Sequence, residues 1–177
     1  YTKFYLRKIK ERFGKYWTNH FSTIATIGMN EACENLFGEE LKTKKGVEFG
    51  KKVLNHMVEK GLEFQQTTGH LFNTESSPAE STCYRLALKD KEACPEIKVA
   101  NEEAFKSGAA PYYTNSSNIK VGSTDDVIEA LNIQNELQPI YTGGTVHHIY
   151  LGECIDDFNL AKKLIKKVCE NYTVPYV

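Results

Sequence analysis

Apolar and polar positions along this chain switch between a period of two and a period near three and a half. Residues 21–27 (FSTIATI) are β-branched and apolar, and Gly28 closes them, which predicts a strand running into a turn. Asn30 then reads as the cap of a short helix through Phe37, with Gly38 as its stop. From about Lys44 to Gln66, Val47, Leu54, Val58 and Leu62 recur on one helical side, flanked by Val53 and Met57, while Glu48, Lys51, Lys52 and Glu59 occupy the rest. That stripe reads as core packing. Leu71 and Phe72 open a short strand, a helix is predicted from Pro78 to about Lys91, and an irregular stretch leads to a strand at Tyr112 and Tyr113. Asp125 and Asp126 open a helix through Leu137, residues 145–151 read as a strand, and Ala161, Leu164, Ile165, Val168 and Tyr172 set a last helical stripe before an apolar final strand at 173–177. Strands alternating with helices predict an α/β sheet with many parallel neighbours. No internal repeat, low-complexity segment or domain boundary interrupts the pattern.

Composition narrows the class. At 177 residues and 41% hydrophobic the chain can bury one sizeable core, and 22 basic against 23 acidic residues give no electrostatic footprint for nucleic acid or an acidic membrane. No apolar run approaches the roughly 20 residues that cross a bilayer, and the charged helical start is unlike a signal peptide. Cys33, Cys83, Cys94, Cys154 and Cys169 are odd in number, widely spaced and free of any Cys-x-x-Cys pair, which argues against a disulfide framework or zinc knuckle and for reduced thiols in the cytoplasm. Tyr1 stands where an initiator Met is expected, FYLRKIKERF resembles the tail of an amphipathic helix entered partway, and the chain stops on an apolar β-prone run. These ends predict one piece, residues 1–177, of a longer polypeptide, truncated on both sides.

Candidate chemistry gathers in three polar turns. Ser77-Pro78-Ala79-Glu80 is an S-x-x-E capping box with Pro at the first helical position. Two uses of that geometry are open. Ser77 and Glu80 can satisfy each other's backbone N–H groups, or the free N–H groups of the first turn, with the Ser76, Ser77, Ser81 and Thr82 hydroxyls nearby, can seat phosphate oxygens. Thr114, Asn115 and Ser116 offer hydroxyl and amide groups at a strand end, or form a turn that satisfies its own backbone. Gly143 and Gly144 permit close backbone approach to a ligand, or simply a tight bend. His147 and His148 are adjacent, point to opposite faces of a strand, and read as packing residues rather than metal ligands. The cysteines, Cys83 included, read as small buried hydrophobes rather than redox thiols.

Four blocks, FSTIATIGMNEACENLFGEEL, FNTESSPAESTCYRLALKDKE, PYYTNSSNIKV and ELQPIYTGGTVHHIYLGE, together resemble the anaerobic, class III ribonucleotide reductase family of glycyl-radical enzymes, in order and over about residues 21–177. The resemblance implies part of a ten-stranded α/β barrel of the glycyl-radical type. It implies reduction of ribonucleoside triphosphates to deoxyribonucleotides through a thiyl radical that abstracts the ribose 3′ hydrogen. Glu80 matches the family's active-site glutamate, and Ser77 stands where Thr is more usual, which keeps the hydroxyl. Ser76, Ser77, Ala79, Ser81, Asn115, Gly143 and Gly144 would contact substrate; Glu80 would act chemically on the ribose side, unless it is committed to its own helix cap.

No cofactor and no metal is expected within these residues. The resemblance places the abstracting cysteine upstream of Tyr1 and the four-cysteine zinc site and radical glycine downstream of Val177. It further implies a radical-SAM (S-adenosylmethionine, iron–sulfur) activating enzyme as partner, a homodimer for the full protein, and no membrane or nucleic-acid partner. The alternatives are an inert or weakly nucleotide-binding fragment with no turnover alone, and a segment of another glycyl-radical enzyme related to pyruvate formate-lyase. The Ser-Pro-Ala-Glu and Tyr-Tyr-Thr-Asn-Ser blocks argue against the last.

Overall fold

Parallel strands cannot be joined by a tight turn, and the stretch between the first two strands supplies the helical crossover they need. Strand β1 (Phe21–Ala25) runs into helix α3 (Met29–Phe37) and the long helix α4 (Lys44–Thr68), which return the chain to β2 (Leu71–Glu75). β1 and β2 pair in parallel, Phe21 opposite Leu71 through Ala25 opposite Glu75. Helices α5 (Glu80–Ala93), α6 (Glu102–Lys106) and α7 (Val127–Leu137) follow, then a 3-10 turn at Gln138–Ile140 and helix α8 (Phe158–Asn171). Two short helices, α1 (Thr2–Tyr5) and α2 (Arg7–Phe13), precede β1. This computed structural model describes residues 2–152 and 154–176; Tyr1 and Val177, the outermost positions of the anticipated end elements, lie outside the described residues.

Several helix limits follow local chemistry. Thr43 caps α4, its hydroxyl accepting from the Gly46 N–H at 3.1 Å, and Asp126 caps α7 by accepting from Ile128 at 2.8 Å. Asn30, however, is not a cap. Gly28, at φ 73°, holds that place on α3, and Asn30 lies inside the helix, buried. Its carboxamide accepts from the Leu41 N–H at 3.0 Å and donates to Glu31 and Glu34, so it ties the 39–41 loop to α3 instead.

The main core joins Met29 and Cys33 of α3, Leu41 of the loop before α4, Val47 and Leu54 of α4, Ile133 and Leu137 of α7, and Tyr141. Fully burying a leucine such as Leu54 stabilises by about 1.5–3 kcal/mol. A smaller cluster packs Cys83 and Ala87 of α5 with Val99 and Tyr113. The buried face of α4 departs from the expected stripe: Gly46, Gly50 and Gly61 lie on it and Leu62 is exposed. The seven-residue step from Val47 to Leu54 continues to Gly61, which admits Phe72 of β2 at 3.9 Å from where a Cβ would stand.

Three anticipated strands are absent among the described residues. Residues 112–114, 145–151 and 173–176 carry no ladder; single contacts replace it, an antiparallel bridge of Ile27 with Asn115 and a bond from the His147 N–H to the Tyr176 carbonyl at 2.9 Å. A strand exists only where a neighbour satisfies its backbone, and β1 with β2 is the one such pair among the described residues.

Gly46 tests the packing of α4 on the preceding loop. A Cβ there would meet the backbone of Glu40 and lie 2.6 Å from the Leu41 carbonyl oxygen. Alanine's helix propensity gains about 1 kcal/mol over glycine, but overlap with rigid backbone costs about 1–3 kcal/mol. Gly46→Ala is therefore expected to lower the urea-unfolding free energy, whereas Gly38→Ala, with open space around it, registers only the strain of its positive φ.

Candidate active site

The turn after β2 is bracketed by the other two polar turns. On one side, the Gly143 N–H donates to the Thr74 carbonyl at 2.8 Å, the Ser76 N–H donates to the Gly144 carbonyl at 3.0 Å, and the Thr74 N–H donates to the Thr142 hydroxyl at 3.0 Å. Thr142–Gly144 thus runs along β2 like a short third strand. A Cβ on Gly143 would lie 2.5 Å from Asn73 Nδ2, 2.7 Å from Glu75 Cγ and 3.0 Å from the Thr74 carbonyl, while one on Gly144 would meet nothing nearer than 3.9 Å. The absent side chain at Gly143 is required by β2 itself.

On the other side stands Asn115. Its Oδ1 accepts from the Ala79 N–H at 3.0 Å and from the Cys83 thiol at 3.0 Å, and its Nδ2 donates to Glu80 Oε1 at 3.2 Å. The anticipated capping box is therefore not formed. α5 begins at Glu80 rather than Pro78, Ala79 is its N-cap without a side-chain bond, and the Ser77 hydroxyl turns to Glu75 Oε2 at 3.0 Å. The physical reason is that a carboxamide from a distant segment reaches the helix entrance with both an acceptor and a donor. It caps from outside and draws the Glu80 carboxylate away from the Ser77 backbone.

Among the sequence-derived site residues, Ala79, Glu80 and Asn115 thus meet directly, and Ser76 meets Gly144 through the backbone. Glu80 and Ser81 are exposed on the first turn. Ser76 is buried, and its hydroxyl has no hydrogen-bond partner among the described residues. The Ala79 N–H, engaged by Asn115, is not free for a ligand.

Glu31, Thr26, Ser117, Gln134 and Tyr141 also hold this site, although they were not among the site residues expected from the sequence. Glu31, buried in α3, accepts from the Thr114 N–H at 2.9 Å and the Thr114 hydroxyl at 2.7 Å. Ser116, at φ 50°, Ser117 and Thr26 surround the Tyr141 hydroxyl at 2.9, 2.9 and 2.7 Å. Gln134 donates to the Ser117 carbonyl at 3.0 Å. Polar residues in turn and helix sequences gave no sign that they face one another across 83 to 115 positions.

A cavity of about 470 Å³ opens beside the Asn115 bridge, lined by Glu80, Tyr84, Tyr112, Asn115, Lys120 and His147 among others. His147 is buried and His148 exposed, as expected of neighbours on opposite faces. Burial, and then the charge of His148, push His147 down to about 4. Burial, then the charges of Glu80 and Glu31, raise the Cys83 thiol to about 11, so it rests protonated. Burial and the hydrogen bond from its hydroxyl to Asp90, at 2.8 Å, likewise raise Tyr113. No three His, Cys, Asp or Glu side chains come together as a metal site among the described residues, and no helix there is long and apolar enough to cross a membrane.

A parallel strand pair with a helix N-terminus and polar turns gathered beyond the strand ends has the arrangement by which α/β proteins hold ligands. The family is specific: a model of anaerobic ribonucleoside-triphosphate reductase matches residues 1–177, and the chain belongs to that family. The anaerobic ribonucleoside-triphosphate reductase of Enterobacteria phage T4 is 27% identical over 112 residues, 63% of this chain and 17% of that protein. Structures of the anaerobic ribonucleotide reductase of Thermotoga maritima share the fold. The form with glycerol in its active site superposes with a TM-score of 0.70 at 20% identity, covering 93% of this chain and 28% of that one. The form with MES in its active site gives 0.67 at 22%, covering 85% and 24%. The chain therefore spans 17% of the curated relative and a quarter to a third of the solved ones.

Two expected outcomes follow from this geometry. Gly143→Ala should lower the thermal midpoint by several degrees, through overlap costing about 1–3 kcal/mol, while Gly144→Ala should stay close to wild type. His147, depressed in the folded state from an unfolded value of about 6.5, binds its proton first when unfolded. Its contribution is thus intact above pH 6.5 and lost as pH falls toward 4, by about 2–3 kcal/mol. Urea unfolding at pH 7 and pH 4.5 should show that loss, reduced in His147→Phe.

Proposed function

We propose that this chain is a segment of the catalytic barrel of an anaerobic ribonucleoside-triphosphate reductase, and that its β2–α5 turn receives the phosphate and ribose of the substrate. The single observation that carries the reading is the Asn115 bridge. By capping α5 from outside, it leaves the Glu80 carboxylate uncommitted to its own helix and exposed at the cavity rim. Glu80 and Ser81 open the first turn of α5, where backbone donors and the helix dipole favour an anion. Exposed Ser81 and half-buried Ser77 add hydroxyls. Glu80, oriented by Asn115, accepts a proton from a ribose hydroxyl during reduction. Gly144 brings its backbone close to the same turn.

In the complete polypeptide a glycyl radical, installed by a radical-SAM activase, would supply the radical that is passed to the abstracting thiol, and structural zinc is expected. The ten-stranded barrel, the homodimer and the cytoplasmic setting belong to the same proposal for the whole protein. A second reading is a purely architectural segment, favoured by the engaged Ala79 N–H and the buried Ser76 hydroxyl.

Calorimetric titration of the chain with a ribonucleoside triphosphate separates the two. Saturable binding, weakened by Ser81→Pro at the phosphate-facing turn and not by a salt-matched chloride control, supports the substrate site; no heat supports the architectural reading. In the complete reductase, Glu80→Gln is expected to lower kcat by about 10²-fold or more with KM little changed. Unchanged turnover would end its chemical role.

A further inference from the structure

Glu31 is a buried carboxylate with no cation paired to it among the described residues. It is 1% exposed, and the ion pairs among the described residues do not include it. Isolated charges are costly to bury unless hydrogen bonds replace their water. Here three donors do so: the Thr114 N–H at 2.9 Å, the Thr114 hydroxyl at 2.7 Å and Asn30 Nδ2 at 3.1 Å. Two of the three come from one residue of a segment that has no sheet partner to fix it. The neighbouring backbone is pinned by the same loop, the Gly28 N–H donating to the Thr114 carbonyl at 2.9 Å and the Met29 N–H to the Ser116 carbonyl at 3.2 Å.

The next residue is Asn115, whose carboxamide engages Ala79, Cys83 and Glu80. We propose that Glu31 is a positioning residue for the β2–α5 turn: its clamp on Thr114 sets the backbone from which Asn115 holds the α5 entrance and aims Glu80. The chain of contacts runs Glu31, Thr114, Asn115, Glu80, and spans three elements far apart in sequence. Core packing alone needs no carboxylate at this place, since Met29 and Cys33 on the same helix already supply apolar contact. A carboxylate offers four lone-pair directions, whereas glutamine must turn an NH2 either toward the Thr114 N–H or toward the Thr114 hydroxyl and Asn30. This role rests on the substrate reading of the turn for its function, and not for its geometry.

The test reads the Asn115 carboxamide by 15N NMR in the 177-residue chain. In Glu31→Gln its Nδ2 resonances should move toward free-amide positions and their exchange with water should quicken about tenfold, while Leu54 and Leu137 methyl signals stay in place. Thr114→Val, which removes the hydroxyl donor, should shift Asn115 in the same direction; Thr114→Ser, which keeps it, should leave Asn115 as in wild type. An unchanged Asn115 in Glu31→Gln with an intact core overturns the proposal, as does an equal loss in Thr114→Ser and Thr114→Val. If Glu31→Gln does not fold, the Thr114 pair decides alone. A triphosphate titration runs beside it: wild type that fails to bind removes the substrate reading, while the Asn115 signals still judge the clamp.

Discussion

Everything in this fold that lies near the candidate site depends on one constraint: residues 113–117 cross the interior without a strand ladder, so their polar groups must find partners one at a time. Glu31 takes the N–H and hydroxyl of Thr114, the α3 entrance takes the carbonyls of Thr114 and Ser116, and Tyr141 gathers Ser116 and Ser117 with Thr26 at the end of β1. Each bond contributes only about 1 kcal/mol net, but an orphaned buried donor or acceptor costs more, and the low dielectric raises that penalty. The junction satisfies each of these groups. It fixes where α3, α5 and the segment after α7 stand relative to the strand pair.

That arrangement explains why the turn between β2 and α5 presents its acidic side chain outward. With Asn115 serving the helix entrance, neither Ser77 nor Glu80 is spent on a cap, and Glu80 stands at the mouth of the cavity. Thr142–Gly144 bonds to the opposite edge of the same turn, so the three polar turns form a seam rather than three separate loops. Gly143 belongs to that seam as a packing requirement of β2, which is a sufficient reason for a glycine there without any ligand.

Much of the architecture was legible in the chain. Asp126 opens its helix as expected, Gly38 ends its helix with positive φ, and the strands expected at 21–27 and from Leu71 became the parallel pair over 21–25 and 71–75. Family membership was legible in the four motif blocks taken in order. Asn30 and the Ser77–Glu80 box misled for a common reason: each is a good local cap, and a non-local partner, the Leu41 N–H or the Asn115 carboxamide, competed with the local bond. The run at 145–151 misled because β-propensity does not supply a neighbour.

By itself the sequence determined what short-range physics controls: helix periodicity, the αL glycines, the acid caps, and the gathering of Ser, Asn and Gly into three turns. The tertiary structure alone decided which of those turns touch, that Glu31 faces Thr114 across 83 positions, and that Gly143 rather than Gly144 is sterically obliged. Hydrogen bonds between distant segments depend on how helices α3 to α5 pack around the strand pair. That packing is set by the sum of many weak apolar contacts, and no local stretch of sequence carries the sum.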